Sequence, residues 1–120
     1  MHIIFGDAAT VISTNYTLLE LDTFKFPSKD EPVKAFCVVT SIPVEEFGIM
    51  ENNKKIHADL ISQYRLQNWE FCKMAIENLR GRWGGEVDSF YNNLEKRVLD
   101  YQNNPPGSDW DWTLAKDAEA

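Results

Sequence analysis

The chain has 120 residues, 43% of them hydrophobic, which suffices for the core of one domain and leaves no room for a second. Its formal net charge of −7 argues against binding to nucleic acid, which requires a basic face. No run approaches the ~20 nonpolar residues of a membrane span, so the partners we expect are proteins or small molecules, not nucleic acid or membrane.

The N-terminus and the cysteines indicate the cellular compartment. The nonpolar run His2–Phe5 has no basic region before it and is too short for a signal peptide. Cys37 and Cys72 each lie in a nonpolar periodic segment rather than in loops. We interpret them as reduced core thiols of a cytoplasmic protein, in preference to a disulfide.

The first third of the chain predicts a small β-sheet. His2–Phe5 is a short strand that ends at a glycine. Asp7 then fits as the N-cap of a short helix over about Ala8–Thr14, although the β-branched residues there suit a strand as well. Tyr16–Phe26 and Val33–Ser41 are two further strands, joined by a polar loop with a proline at each end.

The pattern within these strands assigns their faces. Alternation places Thr17, Leu19, Leu21 and Thr23 on one face of the second strand. Glu20 and Asp22 share the opposite face, which we expect to be only partly covered. The continuous nonpolar run Ala35–Val39 indicates a strand buried on both faces, so we place it centrally in the sheet.

Residues Glu51–Arg80 show the period of one long amphipathic helix. The main stripe of nonpolar residues on this helix consists of Ile56, Leu60, Ile61, Tyr64, Phe71, Met74, Ala75 and Leu79. Helical structure begins before it at Ile42–Glu46, where the two glutamates suit the positive end of a helix dipole, and Gly48 interrupts that first turn. Gly81 is predicted to end the long helix in a left-handed conformation.

A further helix is predicted over about Glu86–Asn103, antiparallel to the long one because a glycine-rich turn joins them. The fold class is therefore α+β: a sheet of about three strands packed against a long helix and an antiparallel second helix. Residues 1–104 form this domain. Residues 105–120 are predicted to be an acidic C-terminal tail that contains Trp110 and Trp112.

No motif predicts a metal or cofactor. The two histidines, His2 and His57, and the two cysteines lack the paired spacing of zinc ligands, and neither a calcium loop nor a phosphate-binding glycine motif is present. Glu20 and Asp22 have the spacing of a paired-carboxylate site, but a solvated strand face shows the same pattern. We expect the protein not to be an enzyme.

Two sets of residues are candidates for binding. Arg80, Arg82 and Trp83 flank glycines next to a helix N-terminus, where free amides could receive an anion; helix termination explains the same residues. The second set is a predicted interface of Leu66, Trp69, Trp110 and Trp112. Trp69 lies nearly opposite the main stripe of the long helix, so either another layer of the same fold or a second subunit would cover it. The two tail tryptophans resemble a docking peptide, which would bind either to this chain's own body or to a partner.

Several short runs resemble small uncharacterised proteins of T4-like marine cyanophages. They are Leu19-Glu20-Leu21-Asp22-Thr23-Phe24, Asn68-Trp69 with Phe71-Cys72, and Trp83-Gly84-Gly85-Glu86-Val87-Asp88-Ser89-Phe90-Tyr91. The resemblance implies a phage-encoded protein in the cytoplasm of a bacterial host. It implies no activity and no catalytic residue.

The function predicted from these features is that of a non-enzymatic interaction or accessory protein. We expect it to form a homo-oligomer and to dock a protein partner through exposed aromatic side chains. The alternative is a small enzyme, or a protein that binds an anion or small ligand, with a pocket between the sheet and the helices. That pocket would use Glu20, Asp22 and the arginines near Trp83.

Overall fold

The structure is a computed structural model that describes residues 2–6, 16–40 and 42–115. Contacts group the chain into two units: Met1–Thr40 together with Asp111–Ala120, and Ser41–Trp110. We name them the sheet unit and the helical unit. The described residues of the first form a four-stranded sheet, and those of the second form three α-helices. The predicted α+β fold class is confirmed.

The sheet contains β1 (His2–Phe5), β2 (Thr17–Lys25), β3 (Val33–Val39) and β4 (Thr113–Ala115) in the order β1-β3-β2-β4. β3 is antiparallel to both β1 and β2, whereas β4 is parallel to β2. This confirms the three predicted strands and the placement of β3 between the other two. The fourth strand was not predicted. It comes from the segment that we expected to be a tail.

Burial along β2 follows the predicted alternation, with one irregularity in the pairing. The buried side chains of the strand are Leu19, Leu21 and Thr23. Glu20 pairs with Phe36, but Thr23 pairs with Lys34, so two residues of β2 lie opposite one residue of β3. The extra residue is a β-bulge, a local irregularity in the pairing with β3 through which the alternation of buried side chains continues.

β3 is the most buried strand, as its continuous nonpolar sequence predicts. Its buried residues are Ala35, Cys37, Val38 and Val39, and Phe36 is partly buried. Cys37 and Cys72 are both buried and form no disulfide. Their interpretation as core thiols is therefore confirmed. The predicted N-cap Asp7 and the short helix over 8–14 lie outside the described residues.

The helical unit begins with a 3₁₀ helix and continues through three α-helices. Its elements are η1 (Val44–Ile49), α1 (Met50–Arg65), α2 (Trp69–Leu79), η2 (Trp83–Gly85) and α3 (Asp88–Asn103). The helical start after Pro43 is confirmed, and α3 matches the predicted second helix except that it begins two residues later. Gly81 has a φ of 87°, the predicted left-handed conformation.

The prediction of one continuous helix over Glu51–Arg80 is wrong. α1 ends at Arg65, and Gln67 has a left-handed φ of 61°. The amide of Asn68 donates to the carbonyl of Gln63 at 2.9 Å, and that of Gln67 donates to Tyr64 at 3.0 Å. This pair of bonds is a Schellman motif, which ends a helix.

Asn68 also begins the next helix. Its side-chain oxygen accepts from the amide of Phe71 at 3.4 Å, as an N-cap does, while its side-chain amide donates to Gln63 at 2.9 Å. The nonpolar period continues across this break, because both α1 and α2 bury a stripe in the same core. Periodicity alone therefore did not reveal two helices.

α2 and α3 run antiparallel, as predicted for the two helices joined by the glycine-rich turn. Arg80, just after α2, donates to Asn92 in the first half of α3 at 3.0 Å. Glu70, at the start of α2, accepts from Gln102 at the end of α3 at 2.9 Å. The fully buried side chains of this unit include Leu60, Cys72, Ile76, Leu79, Trp83, Val87, Tyr91, Leu94 and Val98.

Candidate interaction surface

η1 exposes nonpolar side chains at a spacing of three residues. In a 3₁₀ helix residues i and i+3 lie one above the other. Val44 is 76% exposed and Phe47 is 60% exposed. Met50, half-buried at the start of α1, continues the same row. We name Val44, Phe47 and Met50 the nonpolar stripe.

A second row on η1 is acidic. Glu45, Gly48 and Glu51 follow the same spacing of three residues, and all three are exposed. Lys54 donates to Glu51 at 3.2 Å, whereas Glu45 makes no ion pair with any residue that the structure describes. We name Glu45, Gly48 and Glu51 the acidic row. The nonpolar stripe thus lies beside a negatively charged edge.

The third row of η1 contains Glu46, which points inward and fixes the helix in place, and Ile49, which is 36% exposed. Glu46 is only 7% exposed, and its Oε1 accepts a hydrogen bond from the backbone amide of Trp83 at 2.7 Å. Trp83 is fully buried, so this bond lies out of water. A buried donor that lost its acceptor would cost about 1–3 kcal/mol. Glu46 therefore ties η1 to η2.

Trp83 has an unusual backbone that the surrounding contacts maintain. Trp83, Gly84 and Gly85 have φ values of 56°, 62° and 79°, a left-handed turn. A bulky residue in this region is strained by about 1–3 kcal/mol and persists only where its surroundings fix it. The buried indole and the bond to Glu46 supply that constraint. The two glycines adopt the same conformation without a steric penalty.

The indole of Trp83 belongs to a buried polar network. Its Nε1 donates to the hydroxyl of Tyr91 at 3.2 Å, and Nδ1 of His57 lies 2.9 Å from the same hydroxyl. His57 is 2% exposed, and Tyr91 is fully buried. Together with Glu46, these side chains connect η1, α1, η2 and α3. The exposed stripe is thus attached to the centre of the helical unit.

The predicted interface tryptophans pack mainly on rings of their own unit. Trp69 and Trp110 lie 5.7 Å apart between ring centroids, and both contact Tyr64 and Tyr101. Their rings are half-buried within this cluster. Leu66, in the turn between α1 and α2, remains 72% exposed. Among the predicted interface residues in this unit, Leu66 presents the largest exposed fraction.

Trp112 lies in the sheet unit. It precedes β4, is half-buried and has a left-handed φ of 57°. Its neighbour Asp111 accepts from Lys25 at 2.6 Å and from the amide of Thr113 at 3.2 Å. The bond to Lys25 and, next, those to Thr113 lower the pKa of the Asp111 carboxyl to about 2. These contacts attach β4 to the end of β2.

The predicted ligand-binding residues have three different environments. Arg80 lies 3.0 Å from Glu95 and 2.8 Å from Glu77, and the bond to Glu95 is the main cause of its raised pKa. Trp83 is buried, and Arg82 is exposed. The amide of Gly81, one of the groups expected to receive an anion, donates to Asp88 at 2.9 Å. A ligand-binding role for these residues stays a prediction.

Glu20 and Asp22 lie on the partly covered face of β2, as predicted, next to an irregularity in its pairing with β3. The bulge in β2 lies between Glu20 and Thr23 and includes Asp22. Both carboxylates are half-buried, and Glu20 lies 4.0 Å from the Nζ of Lys34. Burial nevertheless alternates through the bulge, so Glu20 and Asp22 share the half-buried side of β2, and a catalytic role for the pair stays a prediction.

The sheet unit has an open cleft of about 790 Å³ that the sequence did not predict. It is lined by Phe5, Gly6, Lys29, Asp30, Glu31, Pro32, Val33, Lys34 and Phe36. None of the predicted binding residues lines it.

Within residues 2–6, 16–40 and 42–115, no three histidine, cysteine, aspartate or glutamate side chains gather in a metal-binding arrangement. No helix in that part of the chain is long and nonpolar enough to span a membrane.

Comparison with known proteins finds no matching family model, no matching curated protein and no matching solved structure. The resemblance to cyanophage proteins therefore stays an expectation. The function is inferred from the geometry of the chain itself.

Sequence reasoning missed Val44 and Phe47. The available signal was the spacing of three between nonpolar residues in Val44–Met50, which suits a 3₁₀ helix. This spacing was overlooked because Glu45 and Glu46, which lie between the nonpolar residues, both fitted the start of a helix. The structure separates them: Glu45 is exposed, and Glu46 is buried against Trp83.

Proposed function

We propose that this chain is a non-enzymatic interaction protein that binds a protein partner and also self-associates. The observation that carries the proposal is the nonpolar stripe on η1, where Val44 and Phe47 are mostly exposed on a turn fixed by Glu46. Large nonpolar side chains grouped on a surface are typical of binding sites. Covering a phenylalanine fully contributes about 1.5–3 kcal/mol.

The fixed conformation of η1, which carries the nonpolar stripe, also favours binding. A surface that already holds its bound conformation loses little conformational entropy when a partner docks. The bond between Glu46 and Trp83, with the buried network behind it, supplies this preorganisation. A flexible nonpolar turn would lack this advantage.

Self-association forms the second part of the proposal, with Leu66 at the contact. Its side chain is 72% exposed, in the turn between α1 and α2 that precedes Trp69 of the ring cluster. An exposed leucine close in the chain to half-buried aromatic rings suits a symmetric contact between two copies. The two buried cysteines, which form no disulfide, support a reducing, cytoplasmic location as part of the same proposal.

Light scattering tests self-association. We expect the full chain at about 100 µM to have at least twice the mass of one chain. Leu66→Lys should return it to the mass of one chain, and Phe47→Lys should leave the oligomer intact. A wild-type protein with the mass of a single chain would show that the self-association part is wrong.

Selection from a random peptide library tests partner binding separately. Peptides enriched on wild-type protein should lose binding to Phe47→Lys and keep binding to Leu66→Lys. Both variants introduce the same charge at an exposed position, so they control for each other. If no enriched peptide depends on Phe47, the stripe is not a docking surface.

A small-ligand-binding protein is the second candidate, favoured by the cleft of about 790 Å³ in the sheet unit. Lys34 and Glu31 are among the charged side chains that line it. Thermal unfolding in the presence of a panel of small anions and metabolites tests this candidate. It predicts a ligand that raises the midpoint for wild-type protein and has a smaller effect on Lys34→Met. If no compound raises the midpoint, this candidate is eliminated.

A further inference from the structure

We infer that the nonpolar stripe binds a cationic amphipathic segment of another protein. This inference rests on the proposed function and adds the chemistry of the partner. It depends on two rows of η1 considered together: Val44, Phe47 and Met50 on one side, and Glu45, Gly48 and Glu51 on the other.

The geometry of η1 requires a partner to contact both rows. With three residues per turn, the rows lie about 120° apart; on the third row Glu46 is buried, whereas Ile49 is 36% exposed. The solvent-facing side of η1 is therefore nonpolar along one edge and acidic along the next. A segment that covers Val44 and Phe47 approaches Glu45 closely. Lysine or arginine next to nonpolar residues is the chemistry that complements this edge.

A second copy of this chain fits the stripe poorly. Symmetric docking with the two η1 helices antiparallel would bring Glu45 and Glu51 of one copy towards the same residues of the other copy. The nearby cation Lys54 already pairs with Glu51, and the net charge of −7 adds repulsion between copies. Like charges brought together disfavour an interface. The nonpolar stripe is therefore assigned to a different protein, and self-association is assigned to the surface at Leu66.

The length of the stripe sets the length of its occupant. At about 2.0 Å per residue, Val44 to Met50 spans about 12 Å, close to two turns of an α-helix. A helical segment with nonpolar residues at i, i+4 and i+7 covers that distance. Basic residues on the flank of the same helix would then lie beside Glu45 and Glu51.

Fluorescence anisotropy with a designed peptide pair tests the inference. The first probe is a labelled peptide of about 14 residues with leucines along one helical face and lysines elsewhere. The second has glutamate in place of every lysine. We expect the lysine peptide to bind the full chain at least tenfold more tightly than the glutamate peptide. Val44→Ser with Phe47→Ser should weaken the lysine peptide at least tenfold.

Matched charge variants separate docking at η1 from general attraction to an acidic protein. Glu45→Gln with Glu51→Gln should weaken the lysine peptide about three- to tenfold and reduce its salt dependence. Asp100→Asn with Asp109→Asn removes the same charge from other exposed positions and should change affinity less than twofold. Circular dichroism establishes that each variant is folded.

Three outcomes of these binding experiments would overturn the inference. Equal loss in both charge pairs would mean nonspecific attraction. Absence of binding by the lysine peptide, or equal binding of the two peptides, would show that the stripe does not select a cationic segment. The proposed function fails differently: if library peptides require Phe47 but are neutral or acidic, docking at the stripe stands and only the partner chemistry is wrong.

Discussion

Glu46→Ala removes the side-chain oxygen that holds η1 to the rest of the helical unit. In the wild-type chain this oxygen accepts from the backbone amide of Trp83 at 2.7 Å, and both residues are buried. Alanine cannot accept the bond, and the fully buried Trp83 leaves little room for water to replace it. We expect this single change to weaken both the fold and the binding surface.

The magnitude follows from the cost of a buried donor without an acceptor, about 1–3 kcal/mol. The left-handed conformation of Trp83 also loses one of the contacts that maintain it. We therefore expect Glu46→Ala to lower the free energy of unfolding by about 2 kcal/mol. Glu46→Gln keeps an oxygen acceptor in place and should cost about 1 kcal/mol.

Glu45→Ala is the matched control, because Glu45 precedes Glu46 on the same 3₁₀ helix and is exposed. A surface substitution of this kind usually changes stability by less than about 0.5 kcal/mol. Urea unfolding followed by far-ultraviolet circular dichroism reports mainly on the helices. A loss below about 0.5 kcal/mol for Glu46→Ala, or equal losses for both variants, would refute the role assigned to Glu46.

Three further predictions concern other parts of the chain. Tyr91→Phe deletes the hydroxyl shared by His57 and Trp83 and should cost about 2 kcal/mol in urea unfolding; a loss below about 0.5 kcal/mol would contradict the network. Burial raises the pKa of the Cys72 thiol to about 11, so at pH 8.5 iodoacetamide should alkylate it far more slowly in native protein than in urea, and equal rates by mass spectrometry would disprove its burial. The pKa of Asp111 is lowered from 3.8 to about 2, so the stabilisation it gives β4 is complete above about pH 4 and is lost as the pH falls through 2. Hydrogen exchange at Thr113–Ala115 should show this loss in wild-type protein, and Asp111→Asn should abolish the dependence; an unchanged profile in the variant would assign it to another group.

Elements encoded by local patterns could be predicted from the sequence. β3 has a continuous nonpolar run, β2 alternates, and α3 has a clear period of three to four residues with prolines after its end. Gly81 has the left-handed conformation expected of a residue after a helix. Each of these features depends on residues close together in the chain, where pattern and structure coincide.

Features that depend on distant residues or unusual backbone could not be predicted. The break between α1 and α2 places Gln67 in a left-handed conformation normally associated with glycine, and only Asn68 marked a helix start. β4 is three residues long and exists through pairing with β2, from which it is remote in sequence. Glu46 is buried by a residue 37 positions away, so the sequence around it cannot distinguish it from Glu45.

Backbone amide NMR shifts measured as the lysine peptide is added show where the peptide binds, because they locate the contact without a substitution. We expect the largest shifts on Val44–Glu51, with smaller ones near Trp83, whose amide is bonded to Glu46. Shifts spread over the acidic surface, or concentrated near Leu66 with η1 unchanged, would contradict this expectation.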